Sequence, residues 1–463
     1  MAHHDLVVVG TGSGSTFLDE RFADLDVALV EHGVFGGTCL NVGCIPTKMY
    51  VYAADVAETV RHAHTYGVDA SIDKVRWTDI RDRVFGRIDP ISAGGQEYRT
   101  DRSPNVTVYF GHASFTGERE LAVARTDGSG TDTITADRVV VAAGSRPSIP
   151  PLVAASGVPF ETSDTVMRIE EVPRRLVILG GGYIASEFAH VFSALGAEVT
   201  VVCRGPRLLR HLDDTLSERF TEVATSRWDC RLGRQVTAAT GDGTGGPGEV
   251  TLTLDDGSEI VADTLLVATG RIPNGDRMDL DRAGITVHAD GRLAVDEYQR
   301  SVSAEGVWAL GDVSSPHQLK HVANHEAKIV GHNLAHPGDL RAANHEFVPA
   351  AVFTEPQIAS VGMTESQARD AGLDVTVKVQ NYGDVAYGWA MEDRTGVCKI
   401  VAERGTGRLL GAHLLGPQAS TLVQQLIQAM VFGQTVTEIA TRQYWIHPAL
   451  PEVIENALLG LDV

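Results

Sequence analysis

Leu6-Val7-Val8-Val9-Gly10-Thr11-Gly12-Ser13-Gly14-Ser15 decides the architecture: four consecutive apolar residues run straight into closely spaced glycines. An unbroken apolar run of this length reads as a parallel strand buried on both faces. Gly10, Gly12 and Gly14 then let backbone approach a pyrophosphate, at the start of a helix whose amide donors and positive dipole end favour anions. Val27-Ala28-Leu29-Val30 reads as the next strand and ends at Glu31, an acid placed to hold ribose hydroxyls. Ser15 stands where the dinucleotide fingerprint has its third glycine.

The plan recurs. Leu176-Val177-Ile178-Leu179 leads into Gly180-Gly181-Gly182-Tyr183-Ile184-Ala185, with Ala185 at the third position, and Val199-Thr200-Val201-Val202 follows as the second strand. Two such units imply two dinucleotides. The second unit closes on Cys203-Arg204 instead of an acid, with Arg207 and Arg210 beyond it. Cations at that place suit a ribose 2′-phosphate, so the expected nucleotide is NADPH, contacted by Gly180, Gly182, Ala185, Arg204 and Arg210.

Val139-Val140-Val141-Ala142-Ala143-Gly144 is a strand ending in glycine, and the breaker-rich Ser145-Arg146-Pro147-Ser148-Ile149-Pro150-Pro151 sets a domain boundary near residue 150. Leu265-Leu266-Val267-Ala268-Thr269-Gly270-Arg271-Ile272-Pro273 is a close copy at the end of the second unit. Gly306-Val307-Trp308-Ala309-Leu310-Gly311-Asp312 runs a strand into an aspartate able to accept hydrogen bonds from a polyol chain. The glycine-rich stretch Gly241 to Gly248 reads as a solvent-exposed hairpin loop. After Asn344 the glycine-turn units stop; a strand at Val397 to Val401 and an apolar-periodic helix around Thr421 to Gly433 suit a packing or dimerisation domain.

Between the first unit and these domains lies Gly36-Gly37-Thr38-Cys39-Leu40-Asn41-Val42-Gly43-Cys44-Ile45-Pro46-Thr47-Lys48. Residues five apart on an ideal helix are roughly 8 to 9 Å apart, beyond the about 7 Å over which a disulfide closes. Gly43 and Pro46 therefore mark a distorted start to a helix expected from about Pro46. Two thiols beside a nucleotide turn point to dithiol–disulfide chemistry.

A chain of 463 residues has room for about three domains, since single cores rarely grow past roughly 250 to 300 residues. A net charge of -21 argues against nucleic acid or an anionic membrane as the main partner. No apolar run reaches membrane-span length and Met1 to Leu6 show no signal-peptide pattern, so a cytoplasmic location is expected. Five cysteines are an odd count and far too sparse for a secreted disulfide framework. Cys203, Cys230 and Cys398 read as packing residues, and the scattered histidines suggest no metal. Arg outnumbers Lys 33 to 6, as a GC-rich genome would give.

In combination, the Cys39 to Lys48 run, both glycine turns, Ala268-Thr269-Gly270, Gly311-Asp312 and the C-terminal His447-Pro448 with Glu452 resemble the flavoprotein disulfide reductases over nearly the whole chain. That resemblance implies an α/β fold of two Rossmann-like dinucleotide-binding domains plus a C-terminal α+β dimerisation domain. Residues 1–150 would bind FAD, 151–271 NADPH, 272–343 would complete the FAD domain and 344–463 form the interface. It places Gly37, Thr38, Ala113, Gly144 and Asp312 with Gly10, Gly12, Gly14 and Glu31 around FAD. Lys48 and Glu187 resemble the ion pair beside the flavin N5, and Tyr183 the aromatic gate on its nicotinamide side, with Gly270 near NADPH. Cys44 corresponds to the thiolate next to the flavin and Cys39 to the interchange thiol. His447, oriented by Glu452, corresponds to the acid–base that serves the partner subunit's thiols, which implies a homodimer with shared sites.

The first-turn segment Ser13 to Phe22 departs from the family's small, alanine-rich pattern, and Pro451 departs in the C-terminal motif. Both departures resemble the members acting on mycothione, the oxidised form of an inositol-containing thiol. Arg204 and Arg210 disfavour a lipoamide-type member, and the tail from Leu458 to Val463 lacks the cysteine pair of a mercuric type. Glutathione disulfide stays open as a substrate, and a flavin-linked redox sensor is the non-enzymatic alternative.

Overall fold

Leu6, Val7 and Val8 are completely buried, as a strand covered on both faces requires. A computed structural model describes residues 1–241 and 248–463. Ala2–Val9 pairs in parallel with Val27–Glu31 on one side and Thr131–Val141 on the other. Val106–Gly117 extends this sheet beyond Val27–Glu31, and Val307–Ala309 beyond Thr131–Val141. A stretch some 170 residues downstream in the chain thus supplies an edge strand of the first sheet, and Gly311 and Asp312 follow directly at its end.

The second sheet repeats the arrangement. Arg175–Leu179 is flanked in parallel by Glu198–Cys203 and Thr264–Val267, with Asp229–Leu232 and Glu161–Thr162 outside them. In both sheets the first glycine turns at positive φ against the end of the neighbouring strand. A Cβ on Gly10 would collide with the Ala142 carbonyl oxygen, and one on Gly180 with the Ala268 carbonyl oxygen. Only glycine fits either turn.

A three-stranded antiparallel meander follows, including Val236–Gly241 paired with Val250–Leu254. The loop expected over Gly241 to Gly248 falls, between these strands, mostly outside the described residues. The C-terminal part is an antiparallel sheet of Ala350–Val352, Ile358–Gly362, Leu409–Leu415, Val397–Glu403 and Val375–Asn381. Ala419–Val431 packs across it with Leu422, Val423 and Leu426 inward.

Two expectations are corrected. The helix after the cysteines begins at Cys44, not near Pro46, and runs to His62. Proline is tolerated this early because first-turn amides have no intrahelical acceptor to lose. More consequentially, no α-helix follows the first glycine turn: residues 11–19 form turns, with a single 3-10 turn at Glu20–Phe22. Gly12-Ser13-Gly14-Ser15-Thr16 is a run of weak helix formers. Its hydroxyls bond locally, Ser15 to the Thr11 carbonyl at 3.2 Å and Thr16 to the Ser13 carbonyl at 2.7 Å. The Arg99 guanidinium donates to the Ser15 and Leu18 carbonyls, supplying partners that a helix would have found within itself. In the second unit, Tyr183–Ala194 is the regular helix expected.

Candidate active site

Gly37–Asn41 forms one short helix, Val42 and Gly43 leave helical geometry, and Cys44 opens the next helix. That break turns thiols five residues apart toward each other, close enough that each shifts the other's ionisation. Both face a cleft of about 880 Å³ between the two nucleotide-type domains. The neighbouring Cys39 thiol, aided by the Lys48 ammonium, outweighs burial and brings Cys44 down to about 7. The Cys44 sulfur in turn, with burial, pushes Cys39 up. Of the two sulfurs, Cys44 is the one that carries negative charge near neutrality.

Lys48 lies one turn along the same helix face and is held by Glu187, with Nζ 2.7 and 2.6 Å from its two carboxylate oxygens. Glu187 is almost fully buried and also accepts from the Phe353 amide at 2.9 Å. The pair clamps the cysteine helix onto the helix Tyr183–Ala194 and fixes a cation beside Cys44. Tyr183, at the first position of that second helix, projects into the cleft.

The cleft is lined by every residue expected at the first dinucleotide: Gly10, Gly12, Gly14, Glu31, Gly37, Thr38, Ala113, Gly144 and Asp312, besides Cys39, Cys44, Lys48, Tyr183 and Glu187. Glu31 is buried; Oε2 accepts from the Thr11 amide and hydroxyl at 3.0 and 2.6 Å, and Oε1 from the Gly33 amide at 2.7 Å. Asp312 accepts from the Ser145 hydroxyl at 2.6 Å. Gly144 has positive φ and open space where a Cβ would stand. An acid at a strand end, a glycine cradle and an aspartate along one elongated cleft fit an extended dinucleotide.

Gly180, Gly182, Ala185, Arg204, Arg210 and Gly270 do not line that cleft; they gather at the strand ends of the second sheet. Arg204 and Arg210 are exposed and make no ion pair among the described residues, whereas Arg207 is taken up by Asp214 at 2.8 Å and Glu218 at 2.5 Å. Cys203 and Cys398 are buried and Cys230 is half-buried.

His447 and Glu452 also lie outside the cleft. Glu452 Oε1 is 2.7 Å from His447 Nδ1 and Oε2 accepts from the Ala449 amide at 3.0 Å, while the imidazole is 72% exposed. With Nδ1 occupied by the carboxylate, Nε2 is the nitrogen presented outward. The hydrogen bond to His447 holds the Glu452 carboxyl below the usual range.

Three features escaped the sequence reading. Arg271 donates to the Ser145 hydroxyl and carbonyl at 2.8 and 2.7 Å, so the end of the second unit steadies the serine that contacts Asp312. Lys320 and Asn324 line the cleft from the helix Lys320–Ala335. Glu58, His62 and Glu355 bring three potential metal-ligand atoms together, contrary to the expectation of no such cluster. Glu355 is distant in sequence, which hid it. Arg61 and Arg227 pair with Glu58 at 2.8 and 3.4 Å, so guanidinium already balances that charge.

Residues 4–327 match the family described as pyridine nucleotide-disulphide oxidoreductase, and residues 348–458 match its dimerisation domain. The chain is a pyridine nucleotide-disulphide oxidoreductase. It is 59% identical over 467 residues, spanning 100% of both chains, to the mycothione reductase of Mycobacterium tuberculosis. It is 34% identical to a dihydrolipoyl dehydrogenase of Halobacterium salinarum, covering 98% of this chain and 95% of that one. A glutathione reductase of Burkholderia cepacia matches at 33% over 97% of each. Among solved structures, the HOCl-induced flavoprotein disulfide reductase RclA from Escherichia coli superposes with a TM-score of 0.84 at 26% identity, covering 98% of this chain and 99% of that one. As a member of this oxidoreductase family, the protein is an enzyme that reduces disulfides with FAD and NADPH as cofactors. Among the described residues no helix is long and apolar enough to cross a membrane.

Proposed function

We propose that this oxidoreductase reduces mycothione to mycothiol in a homodimer whose sites are shared between subunits, serving thiol redox balance in the cytoplasm. The carrying observation is the 59% identity, without a gap in coverage, to the M. tuberculosis mycothione reductase. The relatives named for lipoamide and glutathione chemistry stand at 34% and 33%.

FAD, when bound, supplies the two-electron relay from NADPH to the Cys39–Cys44 disulfide. Gly10, Gly12, Gly14, Gly37, Thr38, Glu31, Ala113, Gly144 and Asp312 would hold it. Gly180, Gly182, Ala185, Gly270, Arg204 and Arg210 hold NADPH, and Tyr183 screens the nicotinamide side. Lys48, positioned by Glu187, favours Cys44 as a thiolate. Cys39 attacks one substrate sulfur as a thiolate, forming a mixed disulfide and releasing the first thiol, to which His447 Nε2 of the other subunit gives its proton. The Cys44 thiolate then attacks the Cys39 sulfur, restoring the Cys39–Cys44 bridge and releasing the second product as a thiolate that takes its proton from solvent. Removing the Cys39 proton requires a base; the imidazole held by Glu452 is suited to both directions of transfer.

NADPH oxidation with a panel of mycothione, glutathione disulfide and lipoamide tests the substrate. Mycothione should be turned over with by far the highest kcat/KM. A higher value for glutathione disulfide would replace the reading, and a flavin that is reduced while every disulfide stays inert would make the protein a redox sensor. In Cys39→Ser, disulfide turnover should vanish while NADPH still bleaches the flavin.

A further inference from the structure

Most of the anion-binding power of a glycine turn comes from the helix behind it, whose N-terminus carries roughly half a positive charge. The first turn here lacks that helix: residues 11–19 are turns and Glu20–Phe22 is a single 3-10 turn whose first residue is itself acidic. The second turn has its helix, Tyr183–Ala194. A pyrophosphate at Gly10 to Gly14 therefore needs positive charge from elsewhere.

One side chain is placed to supply it. Lys320, first residue of the helix Lys320–Ala335, reaches across the cleft and donates from Nζ to the Ser13 hydroxyl at 2.7 Å, inside the glycine turn. Ser13 in turn donates to Asn324 Oδ1 at 3.0 Å, so the helix holds the turn at two points. Of the other cleft cations, Lys48 is paired with Glu187, Arg146 with Asp276 and Arg271 with Asp164. Arg277, which has no ion pair among the described residues, stands on the 3-10 turn Asn274–Arg277 and makes no contact with the Gly10 to Gly14 turn. Among the described residues Lys320 faces no carboxylate. The turn also packs on the cysteine segment, where a Cβ on Gly37 would stand 2.8 Å from the Gly12 Cα.

We infer that Lys320 replaces the missing helix dipole, contributing the positive charge that holds the FAD pyrophosphate at the Gly10 to Gly14 turn. The inference rests on that turn being the pyrophosphate site. Lys320 is then a binding residue for the cofactor, with no part in proton or electron transfer.

The test follows FAD loss from purified holoenzyme by the rise of flavin fluorescence, at a series of KCl concentrations. Lys320→Met should release FAD about tenfold faster at low salt and depend less on salt, because screening acts on the charge removed. Lys320→Arg should stay near the wild-type rate, and Lys320→Gln, which keeps a donor to Ser13 without charge, should behave like Lys320→Met. Wild-type release from Lys320→Gln would overturn the inference, since the hydrogen bond alone would suffice. So would unchanged release together with altered alkylation of Cys39, the thiol on which the Lys320 charge also acts. Gly12→Val separates the premise: if it retains FAD like wild type, the turn is not the pyrophosphate site; if it loses FAD while Lys320→Gln does not, only the role of Lys320 falls.

Discussion

Cys39 and Cys44 are chemically unequal because, of the two neighbouring thiols, only Cys44 is under the Lys48 charge. With Cys44 brought to about 7, its thiolate is present above that pH and lost below it. The thiolate signal of reduced enzyme should therefore titrate near neutrality. Lys48→Met removes the cation that favours the charged form, so the midpoint should move upward by about a unit, the scale of one close charge; an unmoved midpoint would refute the role of Lys48. Arg204 and Arg210 carry a second expectation at this scale. A charge-assisted hydrogen bond contributes about 1.5–3 kcal/mol, so Arg204→Ala should raise the KM for NADPH roughly tenfold or more while changing that for NADH little. Equal effects on both would count against phosphate recognition. These residues were legible because motif spacing is local. Lys320 and Arg271 were not, since neither stands in a repeated pattern and each matters only through a partner more than 100 residues away.

At the scale of elements, the sequence shows strands better than the segments joining them. The buried runs at Leu6 and Leu176 have no competing reading, whereas the first glycine turn carries a strand-and-glycine pattern after which the dinucleotide fingerprint places a helix. The contrary cues were present in the Gly-Ser-Thr run and in Asp19, whose carboxylate caps the 3-10 turn through the Arg21 amide at 3.0 Å. Another element-level device was invisible in sequence. Lys399, on the strand Val397–Glu403, is buried with Nζ 2.8 Å from both Asp213 and Glu365. Asp213 caps the helix Asp214–Arg227, which follows the loop carrying Arg204 and Arg210. Burial alone would raise the Asp213 carboxyl, but the hydrogen bond from Lys399 and the charges around it hold it low. Its contribution to stability is thus present above the ordinary carboxylate range and lost as pH falls through the lowered value. Removing one partner of a buried pair costs about 3–5 kcal/mol, so Lys399→Met should lower the urea midpoint markedly. Lys399→Met with Asp213→Asn should recover part of the loss, and a single variant as stable as wild type would show that the network adds nothing.

At the scale of the whole molecule, the cleft holds the thiols but not the dyad. His447 is 72% exposed beside Tyr444 and Ile446, themselves 103% and 73% exposed. Apolar side chains clustered so openly mark a surface that another chain covers, and the matched dimerisation domain contains them. Sequence shows that domain as a change of pattern after Asn344, but not which residues meet, because an interface has no periodicity of its own. A two-fold axis that brings His447 to the other subunit's Cys39 has a countable consequence. Pair subunits carrying Cys39→Ser with subunits carrying His447→Gln. Each homodimer has two defective sites. The hybrid has one site with both defects and one with neither, because its intact Cys39 and intact His447 come from different subunits. Random assembly of equal amounts makes half the dimers hybrid, so co-expression should restore about one quarter of wild-type mycothione turnover. If His447 served its own subunit, every site in every dimer would carry one defect, and co-expression would restore nothing beyond the residual activity of the two single variants.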